Sequence, residues 1–258
     1  MVTVINPISR AGVVSIDDGK LFQIYSRDED VLRVQSSSLP MQPSVDWRMK
    51  LIGQNYKIRF GESDEIGGLP VRALELLPVH TPVPARTFFF EPVHDTVLRY
   101  VVTPEDGDEY VVFETKTVTF GKEAAERGFE LPSTAEDARI FKEPPPVKVE
   151  KVADAKTTVG FTPRHPVKIP FGFKITGTYI YGVGKRAYVD VKLSDGMASL
   201  TVHQWMPNKD FRRPNVGRSS PQSEDRYGVH VAVSEGTTDH LPEEVMEAVL
   251  QAFVLSAD

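Results

Sequence analysis

Residues 55–78, NYKIRFGESDEIGGLPVRALELLP, constrain the fold more than any other stretch. Tyr56, Ile58 and Phe60 alternate with Lys57, Arg59 and Gly61, the period-two pattern of a strand with one buried face. Residues 62–68 are charged and then glycine-rich, so they read as a turn. A second, less regular apolar run follows at 71–77. This is a hairpin in a β-rich chain, and it carries no catalytic or cofactor motif.

The same grammar recurs on both sides. Apolar runs at 2–5, 11–16 and 21–25 precede the hairpin, with Asp17-Asp18-Gly19 closing one pair. Runs at 86–91, 97–103 and 110–119 follow it, and Glu105-Asp106-Gly107-Asp108 turns the last two. Between them, 44–54 reads as a helix. Ser44 is its N-cap, Asp46 suits the positive end of the dipole, and Trp47, Leu51 and Ile52 form an apolar face. The first half is therefore expected to be one large curved sheet or partial barrel around one helix.

Residues 123–143 are polar, with Phe129, Leu131, Ile140 and Phe141 as anchors. Pro144-Pro145-Pro146 and the mixed stretch after it read as a semi-rigid linker. Strands are expected next at 174–181, 186–193, 198–205 and 227–234, with Ser194-Asp195-Gly196 as a hairpin turn. A helix over 241–255 presents Leu241, Val245, Val249 and Phe253 to cover this four-stranded sheet. The class expected is mainly β (α+β): an N-terminal curved antiparallel sheet or half-barrel with a packed helix, and a smaller C-terminal antiparallel sheet with one long helix. The domains expected are 1–143, a linker at 144–160, and 161–258.

Composition excludes several chemistries. The chain has 258 residues and no cysteine, so disulfides, thiolate metal sites and a cysteine nucleophile are absent. A net charge of −6 provides no basic field for nucleic acid. No run of apolar residues is long enough to span a membrane as a helix. The six histidines are scattered without a metal-ligand spacing. Paired acids lie in turns, no G-x-S-x-G elbow occurs, and Gly61, Gly67 and Gly68 do not form a phosphate loop. No nucleophile and base stand at a recognisable spacing, so neither a metal, a cofactor nor an enzymatic activity is expected.

Two features suggest binding instead. Phe88, Phe89 and Phe90 make both faces of one strand apolar. One face can pack on the helix at Trp47, and the other needs a further layer, a ligand or a partner. Trp47, Leu51, Tyr56, Phe88, Phe90, Leu98 and Tyr100 are the candidates for lining an apolar cavity. The long polar segment 207–226 carries Lys209, Arg212, Arg213 and Arg218, either a solvated loop or a contact for an anionic partner or lipid headgroup.

The helix followed by Asn55-Tyr56, then Ile66-Gly67-Gly68-Leu69-Pro70 and Leu74-Glu75-Leu76-Leu77-Pro78, resembles the MucB/RseB proteins within the LolA/LolB lipoprotein-carrier superfamily. Residues 86–91 and 95–101 are similar to the family's next two strands. Ile169-Pro170-Phe171-Gly172-Phe173 and Asp195-Gly196-Met197-Ala198-Ser199-Leu200 resemble its C-terminal domain. The family's N-terminal helix and export signal are not seen, and Gly68-Leu69 stands where an arginine often follows the turn glycine. The resemblance implies a non-enzymatic exported sensor, periplasmic and at most peripheral to the membrane. Its partner would be the periplasmic segment of an anti-sigma factor, and lipid or lipoprotein acyl chains would occupy its half-barrel. A lipoprotein or lipid carrier is the alternative.

Overall fold

The computed structural model describes residues 2–3, 13–118, 120–121, 131–166, 168–207, 223–224, 228–236 and 240–255. The chain divides into two compact units, one built from Met1–Gln42 and Thr119–Val147, the other from Pro43–Val118 and Lys148–Asp258.

The first unit holds a five-stranded sheet in the order β1 (Val2–Thr3), β2 (Val13–Asp17), β3 (Leu21–Ser26), β4 (Val31–Ser36) and β10 (Arg139–Lys142). Its β2–β3 turn follows from the side chains. Asp17 Oδ1 accepts from Gly19 N–H at 2.9 Å, and Asp18 Oδ1 accepts from the N–H groups of Lys20 and Leu21 at 2.8 and 2.7 Å. Gly19 takes φ +85°, which a side chain would oppose. These amides also hold the Asp18 carboxyl below its ordinary range. β10 runs parallel to β4, and Tyr25, Leu32, Ala135 and Ala138 form a small core.

The second unit begins with α1 (Val45–Asn55), capped by Ser44, whose Oγ accepts from Trp47 N–H at 3.3 Å. An antiparallel meander follows: β5 (Tyr56–Ile66), β6 (Leu69–Pro78), β7 (Ala85–Glu91), β8 (Thr96–Thr103) and β9 (Tyr110–Glu114). The first-half strands thus lie in two sheets rather than the single curved sheet expected. Sequence neighbours pair within each set, and β4 takes β10 as its outer partner. The β5–β6 turn is also tighter than expected. It is Gly67-Gly68 alone, with φ +60° and +80°, the two left-handed residues of a two-residue hairpin. The charged residues before it belong to β5, an edge strand that is exposed at successive positions from 57 to 65 save half-buried Gly61.

A six-stranded sheet completes this unit, in the order β11 (Val147–Val149), β12 (Lys174–Tyr181), β13 (Tyr188–Ser194), β14 (Ser199–Trp205), β16 (His230–Glu235) and β15 (Ser223–Glu224). The four strands expected here are joined by two short edge strands. Residues 147–160 include β11 and a short helix, α2 (Lys156–Val159), and Ala155 is buried in the main core. α3 (Glu243–Val254) buries Val245, Met246, Val249, Leu250 and Phe253. They meet Val189, Val191, Leu200, Val202, Val231 and Val233 from alternating positions of the sheet. Among the described residues no helix is long and apolar enough to cross a membrane.

Candidate functional site

Register places one residue from each strand of the five-stranded sheet in a row. Phe60 pairs with Leu74, Leu74 with Phe88, Phe88 with Tyr100, and Tyr100 with Phe113. Directly paired residues share a face, so five apolar side chains run across the sheet. The Phe88 and Tyr100 rings stack at 4.6 Å with planes 2° apart, and Phe113 tilts against Tyr100 at 6.3 Å. The ends of the row are open: Phe60 is 70% exposed and Phe113 43%. Tyr100 at the centre is buried and Phe88 packs on the main core, so it is the two exposed end rings that an apolar partner can cover.

The next row on that face is different. Ile58, Leu76, Arg86, Val102 and Tyr110 are paired in turn. Arg86 is fully buried. Its Nη1 donates a short hydrogen bond to Tyr100 Oη, and its guanidinium also engages the Tyr56 phenol. Tyr56 Oη in turn donates to Asp195 Oδ2 at 2.6 Å. Asp195 sits at the β13–β14 turn, where its Oδ1 accepts from Met197 and Ala198 N–H at 2.8 and 2.7 Å. The Asp195 carbonyl accepts from Asn55 Nδ2 at 2.8 Å, and the Gly172 carbonyl accepts from the same nitrogen at 3.2 Å.

Burial raises the Asp195 carboxyl above its ordinary value, opposed by the Tyr56 hydrogen bond and the Arg86 charge. Burial, and then the charge of Asp195, push the Tyr56 phenol well above the ordinary tyrosine range. Tyr56 therefore stays protonated and can only be the donor to the carboxylate.

The site candidates read from the sequence divide. Phe88 and Tyr100 meet in the apolar row, and Tyr56 joins the polar cluster beside it. Phe90 stands opposite Arg72 and Val97, half-buried. Leu98 falls at an irregularity of β8 and packs with Ile66, Val71 and Phe89. Leu51 is buried on α1, and Trp47 is half-buried there. Lys209, Arg212, Arg213 and Arg218 lie outside the described residues.

Two arrangements escaped the sequence reading. One is the Arg86–Tyr56–Asp195 cluster, whose members are 30 and 139 residues apart in the chain. The other lies on the face of the six-stranded sheet opposite the α3 core. There His203 Nδ1 is 2.6 Å from Asp190 Oδ1, and His203 Nε2 is 2.8 Å from Ser234 Oγ. A nucleophile, a base and an orienting acid are thus connected, contrary to the expectation from spacing. The signal was the Asp195-Gly196 turn, because pairing Leu193 with Leu200 fixes Asp190 opposite His203. All three side chains are buried in regular strands, without the sharp turn that presents a hydrolase serine. Among the described residues, no group of three His, Cys, Asp or Glu side chains converges on a metal position.

No protein-family model and no curated protein matches the chain. Solved structures do. A crystal structure of MucB in complex with MucA(peri) aligns over 96% of this chain and 84% of that one, with 15% identity and a TM-score of 0.54. The complex structure of Pseudomonas aeruginosa MucA/MucB aligns over 96% and 85%, again with 15% identity and a TM-score of 0.54. This chain has a MucB-like fold.

Proposed function

We propose that the chain is a non-catalytic periplasmic binding protein that holds the periplasmic segment of an anti-sigma factor and yields it when acyl chains of lipid or lipoprotein occupy the apolar row. The observation that carries the reading is the fold shared, over nearly the whole chain, with MucB as found in complex with MucA(peri). The exposed ends of the Phe60–Leu74–Phe88–Tyr100–Phe113 row, Phe60 and Phe113, support the acyl half of it. Competition requires only that the ligand favour the partner-free state, which shifts the population in proportion to its preference. Lys209, Arg212, Arg213 and Arg218 are assigned to the anionic part of partner or lipid.

A carrier of lipid or lipoprotein is the second reading, favoured by the same row. One experiment separates the two. The immobilised chain is offered the purified periplasmic segment of the anti-sigma factor encoded in the same genome, with and without cis-parinaric acid. Retention at micromolar protein, lost on adding the acid, is the expected result. Acid binding without any retention of the segment would leave the carrier reading in its place.

A further inference from the structure

Tyr100 belongs to two systems at once. Its ring stacks on Phe88 within the apolar row, and its hydroxyl accepts from Arg86. Arg86 is fully buried, and its charge acts on both the Tyr56 phenol and the Asp195 carboxylate. Asp195 in turn holds the β13–β14 turn through two backbone amides and ties it to β5 through Tyr56. α1 seats directly on that turn: a Cβ on Gly196 would lie 2.8 Å from Ile52 N and 3.1 Å from the Arg48 carbonyl. The ring surface and the C-terminal hairpin are thus the two ends of one buried polar chain.

We propose that Tyr100, Arg86 and Tyr56 couple occupation of the apolar row to the order of the Asp195–Gly196 hairpin. This rests on the acyl-binding reading above and names how that site is regulated. An acyl chain laid across Phe88 turns the Tyr100 ring and takes its hydroxyl from Arg86. A buried cation that loses a partner re-forms its bonds with those that remain or draws in water, and either change alters the environment of Asp195. The carboxylate then holds the Met197 and Ala198 amides less firmly, and the hairpin loosens beneath α1. Linkage makes the effect reciprocal, so a partner that grips the closed hairpin weakens acyl binding by the same factor.

Hydrogen exchange at the Met197 and Ala198 amides of the full chain reads the coupling. Tyr100→Phe keeps the ring and removes only the hydroxyl. Without any ligand it is expected to speed exchange at both amides about tenfold, the value of one lost hydrogen bond. Val97→Ala, on the same strand as Tyr100 but outside both the row and the polar chain, leaves them unchanged. Unchanged protection in a folded Tyr100→Phe protein overturns the coupling whatever the row binds. Saturating wild type with cis-parinaric acid should speed the same amides. In Tyr56→Phe, the acid should still bind and produce no further change. Acid binding to wild type with protection intact overturns the coupling and leaves acyl binding standing. Failure of the acid to bind overturns the acyl reading and the proposed trigger together.

Discussion

Tyr56, the first residue of β5, donates a 2.6 Å hydrogen bond to Asp195 at the tip of the β13–β14 hairpin, so one buried carboxylate is shared by two sheets. Neither partner is an ordinary core residue. A phenol replaces water as the donor to a charge that water no longer reaches, and the bond is worth more than its neutral counterpart for that reason. Tyr56→Phe leaves the carboxylate under-satisfied and should lower stability at neutral pH by about 1–3 kcal/mol.

The same pair fixes an alkaline signature. The folded phenol pKa is raised, mainly by burial and then by Asp195. Below the unfolded tyrosine value of about 10, both states are protonated and this contribution is fully present. Above it the unfolded chain loses the proton first, so stability falls as pH rises, by up to about 1.4 kcal/mol per pH unit. Tyr56→Phe has no such loss at this position. Urea unfolding at pH 7 and pH 11 should show the gap between wild type and variant narrowing at the higher pH.

Asp195 gives the acid counterpart. Its folded pKa is also raised, chiefly by desolvation. The stabilising contribution of the protonated form is complete below the unfolded value and is lost as pH rises through the folded one. Asp195→Asn does not titrate, and its Oδ1 can still accept from the Met197 and Ala198 amides. As pH rises from about 4, the unfolded carboxylate value, the variant should gain on wild type until the folded carboxyl has ionised. Parallel stability curves would show that the carboxyl titrates as if exposed.

Gly172 tests how tightly the end of α1 meets the loop before β12. It has φ +73°, and a Cβ there would lie 2.0 Å from Asn55 Oδ1. Gly172→Ala must strain the backbone by about 1–2 kcal/mol and also displace Asn55 from two carbonyls, about 1 kcal/mol each. A loss of about 3 kcal/mol is expected by chemical denaturation. Adding Asn55→Ala removes the clash together with the bonds, so the double variant should lose less than the sum of the single ones.

How far the sequence could lead depended on whether a signal was local. The Asp17–Gly19 and Asp195–Gly196 turns, the Ser44 cap and the apolar stripe of α3 are each written within a few residues, and each stands as expected. The Phe60–Phe113 row was only partly visible, because register depends on turn lengths that the polar stretch 62–65 disguised. Leu98 shows the same limit. Strict alternation would place it with Tyr100, yet an irregularity between Phe89 and Phe90 on the pairing with β8 puts it among Ile66 and Val71. In the sequence Arg86 is only the first residue of an expected strand, 86–91, similar to one of the family's. Its full burial is a property of the surrounding sheets, which no spacing encodes.

The buried Asp190–His203–Ser234 chain separates architecture from chemistry. Its distances would suit general-base activation of a serine. Its setting suits a satisfied polar layer instead, with Lys192 Nζ 3.6 Å from Asp190 Oδ2 and 3.0 Å from Thr201 Oγ1. Ser234→Ala and Asp190→Asn should each cost about 1–3 kcal/mol. A fluorophosphonate probe should leave the native protein unlabelled, and labelling at Ser234 would refute the non-catalytic reading.

Phe60 separates binding from stability at the apolar row. It is 70% exposed, so Phe60→Ser removes little that folding has buried and should change stability by under about 0.5 kcal/mol. An acyl chain lying along the row would cover that ring, and a covered phenylalanine contributes about 1.5–3 kcal/mol. Affinity for cis-parinaric acid should then fall about tenfold or more, read from its fluorescence. Phe88→Ser is the contrasting variant. Phe88 is half-buried, packs against the main core and stacks on Tyr100, so its loss should lower both acyl affinity and the unfolding midpoint. Equal acyl affinity in wild type and Phe60→Ser would place the acyl chain elsewhere than along this row.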